Sequence, residues 1–179
     1  MKLMVMVAHP NLETSRANAA LVKELQRREA ADIRLLYREY PDWKIDVERE
    51  QRLLLAYDRI VFQFPWYWYS CPALLKKWME DVLTFGWAYG PEGKALKGKE
   101  FMAAITSGGT FNCYQAGGEN WFTISEFLKP IQRTFTKCNG VFLPPYVLYN
   151  ANRASEEELL EQSRRYAEHI LSPAPLLVH

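Results

Sequence analysis

RIVFQFPWYWYSCPALLKKWMEDVL, residues 59–83, presents an apolar run, a breaker and an amphipathic stretch in that order. Arg59 to Phe64 reads as a strand ended by Pro65. Pro72 to Leu83 reads as a helix, because Pro72 suits a first helical position and Leu74, Leu75, Trp78, Met79 and Val82 fall along one stripe. Strand, loop, helix is therefore the unit to seek on either side.

Toward the amino end, Leu3 to Ala8 is an apolar run bounded by His9-Pro10-Asn11, as a strand buried on both faces should be. Ser15 to Ala30 follows with Leu21, Val22 and Leu25 at helical spacing and Thr14 or Ser15 as N-cap. Asp32 to Tyr37 gives a second strand, and Asp46 to Tyr57, with an acidic first turn, a second helix. Toward the carboxyl end, Glu100 to Thr106 is a strand closed by Ser107-Gly108-Gly109, and Ile124 to Lys137 is a helix that Pro130 should start or kink. Val141 to Tyr149 is a fifth strand interrupted by Pro144-Pro145, which places it at a sheet edge. Ser155 to Leu171 is a last helix whose Ser155 and Glu158 form a capping box. Strands alternating with helices predict an α/β fold, a doubly wound parallel sheet with helices on both faces and right-handed crossovers. Residues 1–171 read as a single domain and 172–179 as a loose tail.

Composition narrows the function. At 179 residues and 49% apolar content the chain suits one sizeable core. With 22 basic against 21 acidic residues there is no global field to draw nucleic acid or an anionic membrane. Cys71, Cys113 and Cys138 are widely spaced, form no CxxC, and read as reduced buried thiols; with only 3 His they offer little for a metal centre. The start MKLMVMVAHP lacks the length and cleavage pattern of a signal peptide, and no run of about 18 apolar residues could span a bilayer, so a cytoplasmic protein is expected. The outlying figure is 14% aromatic residues, gathered in Phe62 to Tyr69 and Phe85 to Tyr89, which suggests a flat ligand or a subunit interface.

In an open doubly wound sheet, ligands bind beyond the carboxyl ends of the strands, so the loops starting at residues 9, 65 and 106 matter most. His9 to Asn18 carries Thr14 and Ser15 into a helix start, where free N–H groups and the helix dipole favour a phosphate. It has no Gly-x-Gly-x-x-Gly and no P-loop lysine. Taken alone, Ser15 could simply cap the helix. Pro65 to Ser70 holds rings at the sheet edge, suited to a planar ligand or equally to a dimer interface. Thr106 to Gly109 lets backbone approach a ligand closely, though a glycine turn after a strand is common. The three together are a stronger signal than any one.

At these loops the chain resembles the flavodoxin-like NAD(P)H:quinone oxidoreductases, and within them the short branch that includes the ancillary proteins of glutathione-regulated potassium efflux systems and the general stress protein 14 group. The likeness is carried by AHP, SRAN, LYREYPDWKIDVEREQ, VFQFPWYWYSCPALLKKWMEDVL, FGWAYGPEGKALKGK, ITSGG and LPPYVLY. It implies a flavodoxin-like sheet of strand order 2-1-3-4-5. It implies FMN, with phosphate contacts from His9, Ser15, Arg16, Ala17 and Asn18. Ring contacts are implied from Trp66, Tyr67, Trp68 and Tyr69, and from Thr106, Ser107, Gly108 and Gly109. NADH or NADPH as hydride donor, a quinone-like acceptor and a homodimer with the flavin near the subunit boundary complete the expectation.

Larger quinone reductases pair a tyrosine with a histidine near the flavin. Tyr114 matches the tyrosine and is the expected catalytic residue; no histidine lies between Ser107 and Ser125, and Asn120 stands near its place. The expected activity is an FMN-dependent NAD(P)H:quinone oxidoreductase. The alternative is a regulatory subunit docked on a potassium–proton antiporter at the inner face of the cell membrane, its flavin site sensory or structural. A flavodoxin-type electron carrier fits less well, because its Thr/Ser-Gly-Thr phosphate loop is missing.

Overall fold

A computed structural model describes residues 1–173. Its strands are β1 (Leu3–Val7), β2 (Asp32–Leu35), β3 (Arg59–Pro65), β4 (Glu100–Thr106), β5 (Val141–Phe142) and β6 (Tyr146–Leu148). The helices are α1 (Arg16–Arg28), α2 (Leu36–Glu39), α3 (Val47–Ala56), α4 (Ala73–Val82), α5 (Ile124–Phe127), α6 (Lys129–Lys137) and α7 (Glu156–Leu171). The sheet runs β2-β1-β3-β4-β5, with β6 also pairing β4, and every pairing is parallel. This is the expected flavodoxin-like, doubly wound order.

The expected fifth strand is two short pieces on the outer side of β4, at Glu100↔Val141 and Ala104↔Tyr146. Pro144 and Pro145 have no N–H to donate to a ladder, so they lie between the pieces and at the edge. The single helix expected over 124–137 is also two. Pro130 cannot continue an α-helical bond ladder and sits in the first turn of α6, while α5 ends three residues earlier behind its own Thr123/Glu126 capping box. The second strand is shorter than expected, because the chain coils into α2 from Leu36. Ser155 and Glu158 form the capping box read from sequence.

Alternation along β1 sends Met4 and Met6 to one face and Leu3, Val5 and Val7 to the other, which is why the run is apolar throughout. On the first face Phe62, Phe101 and Phe135 stack, with Phe101 and Phe135 centroids 4.4 Å apart, beneath Trp78 of α4. On the second, Leu21 and Leu25 of α1 meet Tyr166 and Ile170 of α7. Cys71 and Cys138 are buried as expected; Cys113 is only partly covered.

Three of the buried polar side chains tie distant parts of this core together. Glu50 of α3 is 0% exposed and receives bonds from Arg34 (2.9 Å), the Tyr40 hydroxyl (2.6 Å) and Trp78 Nε1 (2.8 Å). Arg59 at the start of β3 is 1% exposed, pairs with Glu100 at 2.7 Å and donates to the carbonyls of Ile170 and Ser172. Ser172, the first residue of the expected tail, is held by this bond, and residues 174–179 lie outside those described. The third, Gln63, belongs to the site.

Glu24 on α1 is nearly covered and receives Arg27 at 2.8 Å and Arg28 at 2.6 Å. The Arg27 hydrogen bond pulls its carboxyl down to about 2, burial opposes this, and the Arg28 bond adds to it. Its contribution to stability is present above the ordinary value of 4.5 and is lost as pH falls through about 2. Glu24→Gln should flatten the acid limb of the stability profile over that window, as read from urea midpoints. A profile unchanged from the parent would contradict this pairing.

Candidate cofactor site

A cavity of about 390 Å³ opens at the carboxyl edge of the sheet, where β1, β3 and β4 end. That volume lies within the usual range of ligand clefts, roughly 300–1,000 Å³. The first loop meets it through His9, Thr14, Ser15, Arg16, Ala17 and Asn18, the second through Pro65, Trp66 and Tyr67, and the third through Thr106 and Gly108. Three segments far apart in the chain thus face one volume, at the place where strand order reverses.

The first loop delivers the start of α1. Ser15 is the N-cap, its hydroxyl accepting from Asn18 N at 3.2 Å, so the N–H groups ahead of that position are left for a ligand. His9 Nδ1 accepts from Asn11 N at 3.0 Å, which places the ring proton on Nε2. Burial lowers the pKa of His9, so the imidazole is a neutral donor at pH 7. Arg16 borders the cavity, but its guanidinium is drawn to α7, 2.5 Å from Glu156 and 3.1 Å from the Ala154 carbonyl. The groups bordering that side of the cavity are therefore the helix start and neutral donors, with Arg16 turned toward Glu156.

The second loop divides its rings. Tyr67 and Ser70 exchange backbone bonds of 3.1 and 3.0 Å around a two-residue turn, with Trp68 at φ 46° and Tyr69 at φ 61°. Such turns normally take Asn-Gly, because a side chain resists the left-handed region. The reversal puts Trp68 and Tyr69 at the tip and outside the cavity lining: Trp68 is 92% exposed. Tyr69 stacks on Phe127 with centroids 4.9 Å apart and donates to Asn120 Oδ1 at 3.1 Å. Of the four rings expected against a ligand, Trp66 and Tyr67 line this cavity and Trp68 and Tyr69 stand beside it.

The third loop brings Thr106 and Gly108 to the cavity but not Ser107 or Gly109. Ser107 is buried and donates to the Tyr114 hydroxyl at 3.1 Å, while Gly109 N donates to Ser107 Oγ at 3.2 Å. A Cβ on Gly109 would lie 2.8 Å from the Tyr114 ring, so glycine is needed for the loop to rest on that ring. Tyr114, expected to meet the ligand, instead supports the loop from below. Its ring borders a different groove with Phe111 and Tyr149 and is not among the residues lining the cavity.

Ala151 and Asn152, on the loop after β6, also line the cavity and were missed from sequence. The rule that selected the other three loops would have found them, since the fifth strand ends at the same edge. Asn152 closes on the third loop so tightly that a Cβ on Gly108 would lie 2.8 Å from its Nδ2.

A parallel sheet with crossovers on both faces, and a cleft at its carboxyl edge bounded by a helix start and by rings, defines a doubly wound α/β protein built to hold a phosphate-bearing planar ligand. A family model described as a flavodoxin-like fold matches residues 1–170, and the chain belongs to that family. General stress protein 14 of Bacillus subtilis is 51% identical over 173 residues, covering 97% of this chain and 99% of its own. The crystal structure of general stress protein 14 from Treponema denticola in complex with FMN is 36% identical with a TM-score of 0.90, over 95% of this chain and 98% of that one. That of an NADPH-quinone reductase from P. pentosaceus is 31% identical with a TM-score of 0.85, over 97% and 100%.

Proposed function

We propose that this chain is an FMN-dependent NAD(P)H:quinone oxidoreductase. The observation that carries the reading is the convergence of the α1 start, the Trp66-Tyr67 pair and Gly108 on one cavity. The residues fit the group. Trp66 and Tyr67 bring two aromatic rings to a cavity that the start of α1 also borders, the combination a planar ring with a phosphate tail requires. Gly108 keeps open a space that a side chain would fill.

Bound FMN would supply hydride exchange between a nicotinamide donor, NADH or NADPH, and a quinone-like acceptor. The chain supplies the rest. Ser15 and the first N–H groups of α1 would hold the phosphate, with Asn18 orienting Ser15 from behind and His9 Nε2 as a further neutral donor. Trp66 and Tyr67 would pack against the ring system, and main-chain N–H groups of the Thr106–Gly109 loop would compensate charge on it. Tyr114 would serve by holding that loop through Ser107 and Gly109.

A homodimer belongs to the same reading. Tyr67, Trp68, Tyr69, Trp121 and Phe122 are all exposed, at 44% to 92%, with Tyr67 on the cleft and Tyr69 and Phe122 both packed on Phe127, more ring surface than a monomer ordinarily leaves in water. Among the described residues no helix is long and apolar enough to cross a membrane. A cytoplasmic location, one domain over residues 1–171 and no nucleic-acid partner complete the proposal.

Oxidation of NADH or NADPH by a benzoquinone, catalysed by the purified FMN-loaded chain, is the test. Turnover well above that of free FMN is expected. No turnover, with co-purification of a potassium–proton antiporter, would favour the ancillary role that the resemblance also implies.

A further inference from the structure

Gln63 is a buried amide in the middle of a core strand, between Phe62 and Phe64, and 0% exposed. Its Nε2 donates to the main-chain carbonyl of Asn18 at 3.1 Å and to Asn18 Oδ1 at 3.2 Å. Its Oε1 has no partner among the described residues. An amide half satisfied in the core weakens the fold, so its presence calls for a reason beyond packing.

The reason lies in the direction of the hydrogen bonds. A main-chain carbonyl can only accept, so Gln63 must turn its NH₂ toward Asn18. Asn18 Oδ1 must then face Gln63, which turns the Asn18 NH₂ the other way. That NH₂ donates to Thr106 Oγ1 at 2.8 Å and to Ser15 Oγ at 3.3 Å, and Asn18 N adds a second bond to Ser15. Both hydroxyls are occupied as acceptors from behind, which frees both O–H groups to donate. Thr106 and Ser15 line the cavity from different loops.

We infer that Gln63 is a positioning residue which, through Asn18, fixes the hydroxyls of Ser15 and Thr106 as donors to the ligand, giving the cleft its selectivity for a phosphate-bearing flavin without a dedicated cation. The inference rests on the FMN reading above and adds to it a residue that touches no ligand. Arg16 being committed to Glu156 makes this donor set the more important.

Gln63→Glu tests it, because the carboxylate has the same shape and no donor. Binding of FMN and of riboflavin, which lacks the phosphate, is followed by quenching of flavin fluorescence in parent and variant. FMN affinity is expected to fall about 10-fold or more, the size of a lost charge-assisted bond, with riboflavin affinity changed less than about 3-fold. As pH falls the introduced carboxyl gains a proton, can donate to Asn18 again, and the variant-to-parent ratio for FMN should recover. Gln63→Met removes the amide altogether and should match the FMN loss, with a thermal melt of the same variant showing that it folds. Equal loss for both flavins, no loss for either, or a ratio indifferent to pH would overturn the inference while leaving the FMN reading standing. A parent chain that binds neither flavin would overturn both.

Discussion

Glu50→Leu should lower the free energy of unfolding by about 3–5 kcal/mol, the usual consequence of removing one member of a buried ion pair. The leucine fills much of the space but leaves the Tyr40 hydroxyl and Trp78 Nε1 without an acceptor, and leaves Arg34, whose side chain is only 10% exposed, with only its 3.4 Å pairing to Glu39. Burial, together with the bond to Glu50, already pushes the Tyr40 hydroxyl up to about 12, a sign of how closely it is committed to that carboxylate. Glu50→Gln keeps one acceptor oxygen and should cost less. Urea denaturation measures both. A loss below about 1 kcal/mol for the leucine variant would mean that the network contributes no more than an exposed pair.

The second large effect is on the ligand. Gly108→Val should weaken FMN binding by about 10- to 100-fold, because its methyl groups would enter the cleft and turn aside the end of the Asn152 side chain, which also lines it and lies 2.8 Å from the new Cβ; overpacking against a bound ring costs about 1–3 kcal/mol, and 1.4 kcal/mol is tenfold. Gly108 is exposed and lies in a loop, so the melting temperature of the cofactor-free chain should scarcely move. Flavin titration and a thermal melt of the same variant read the two separately. Unchanged flavin affinity would place the ring elsewhere.

The fold was legible because its signals are local. An apolar run closed by His9-Pro10 or by Pro65 is visible within ten residues, and so is the stripe from Leu74 to Val82. What was misjudged depends on backbone direction or on distant partners. Pro130 announces a break, but whether it kinks one helix or starts another depends on the Thr123/Glu126 cap before it. Four rings in a row from Trp66 to Tyr69 cannot show which face a cleft; the left-handed turn at Trp68 and Tyr69 decides that.

Within the candidate site, His9, Ser15 to Asn18, Trp66, Tyr67, Thr106 and Gly108 were found because strand-terminal loops of this architecture share one edge. Tyr114 was chosen by resemblance, and the packing of its ring under Gly109 is a three-dimensional fact. The buried polar residues left no local trace. Glu50 meets Arg34 and Trp78, Arg59 meets Ile170 and Ser172, and Gln63 meets Asn18, all across sequence distances that no periodicity reveals.

Absorption spectroscopy of the purified chain titrated with FMN, followed by chromatography of the flavin released on denaturation, addresses the site most directly. A yellow protein carrying one FMN per chain, with the flavin fluorescence quenched by Trp66 and Tyr67, is the expected result. A colourless protein that takes up no added FMN would contradict a shared flavin cleft at the ends of β1, β3 and β4.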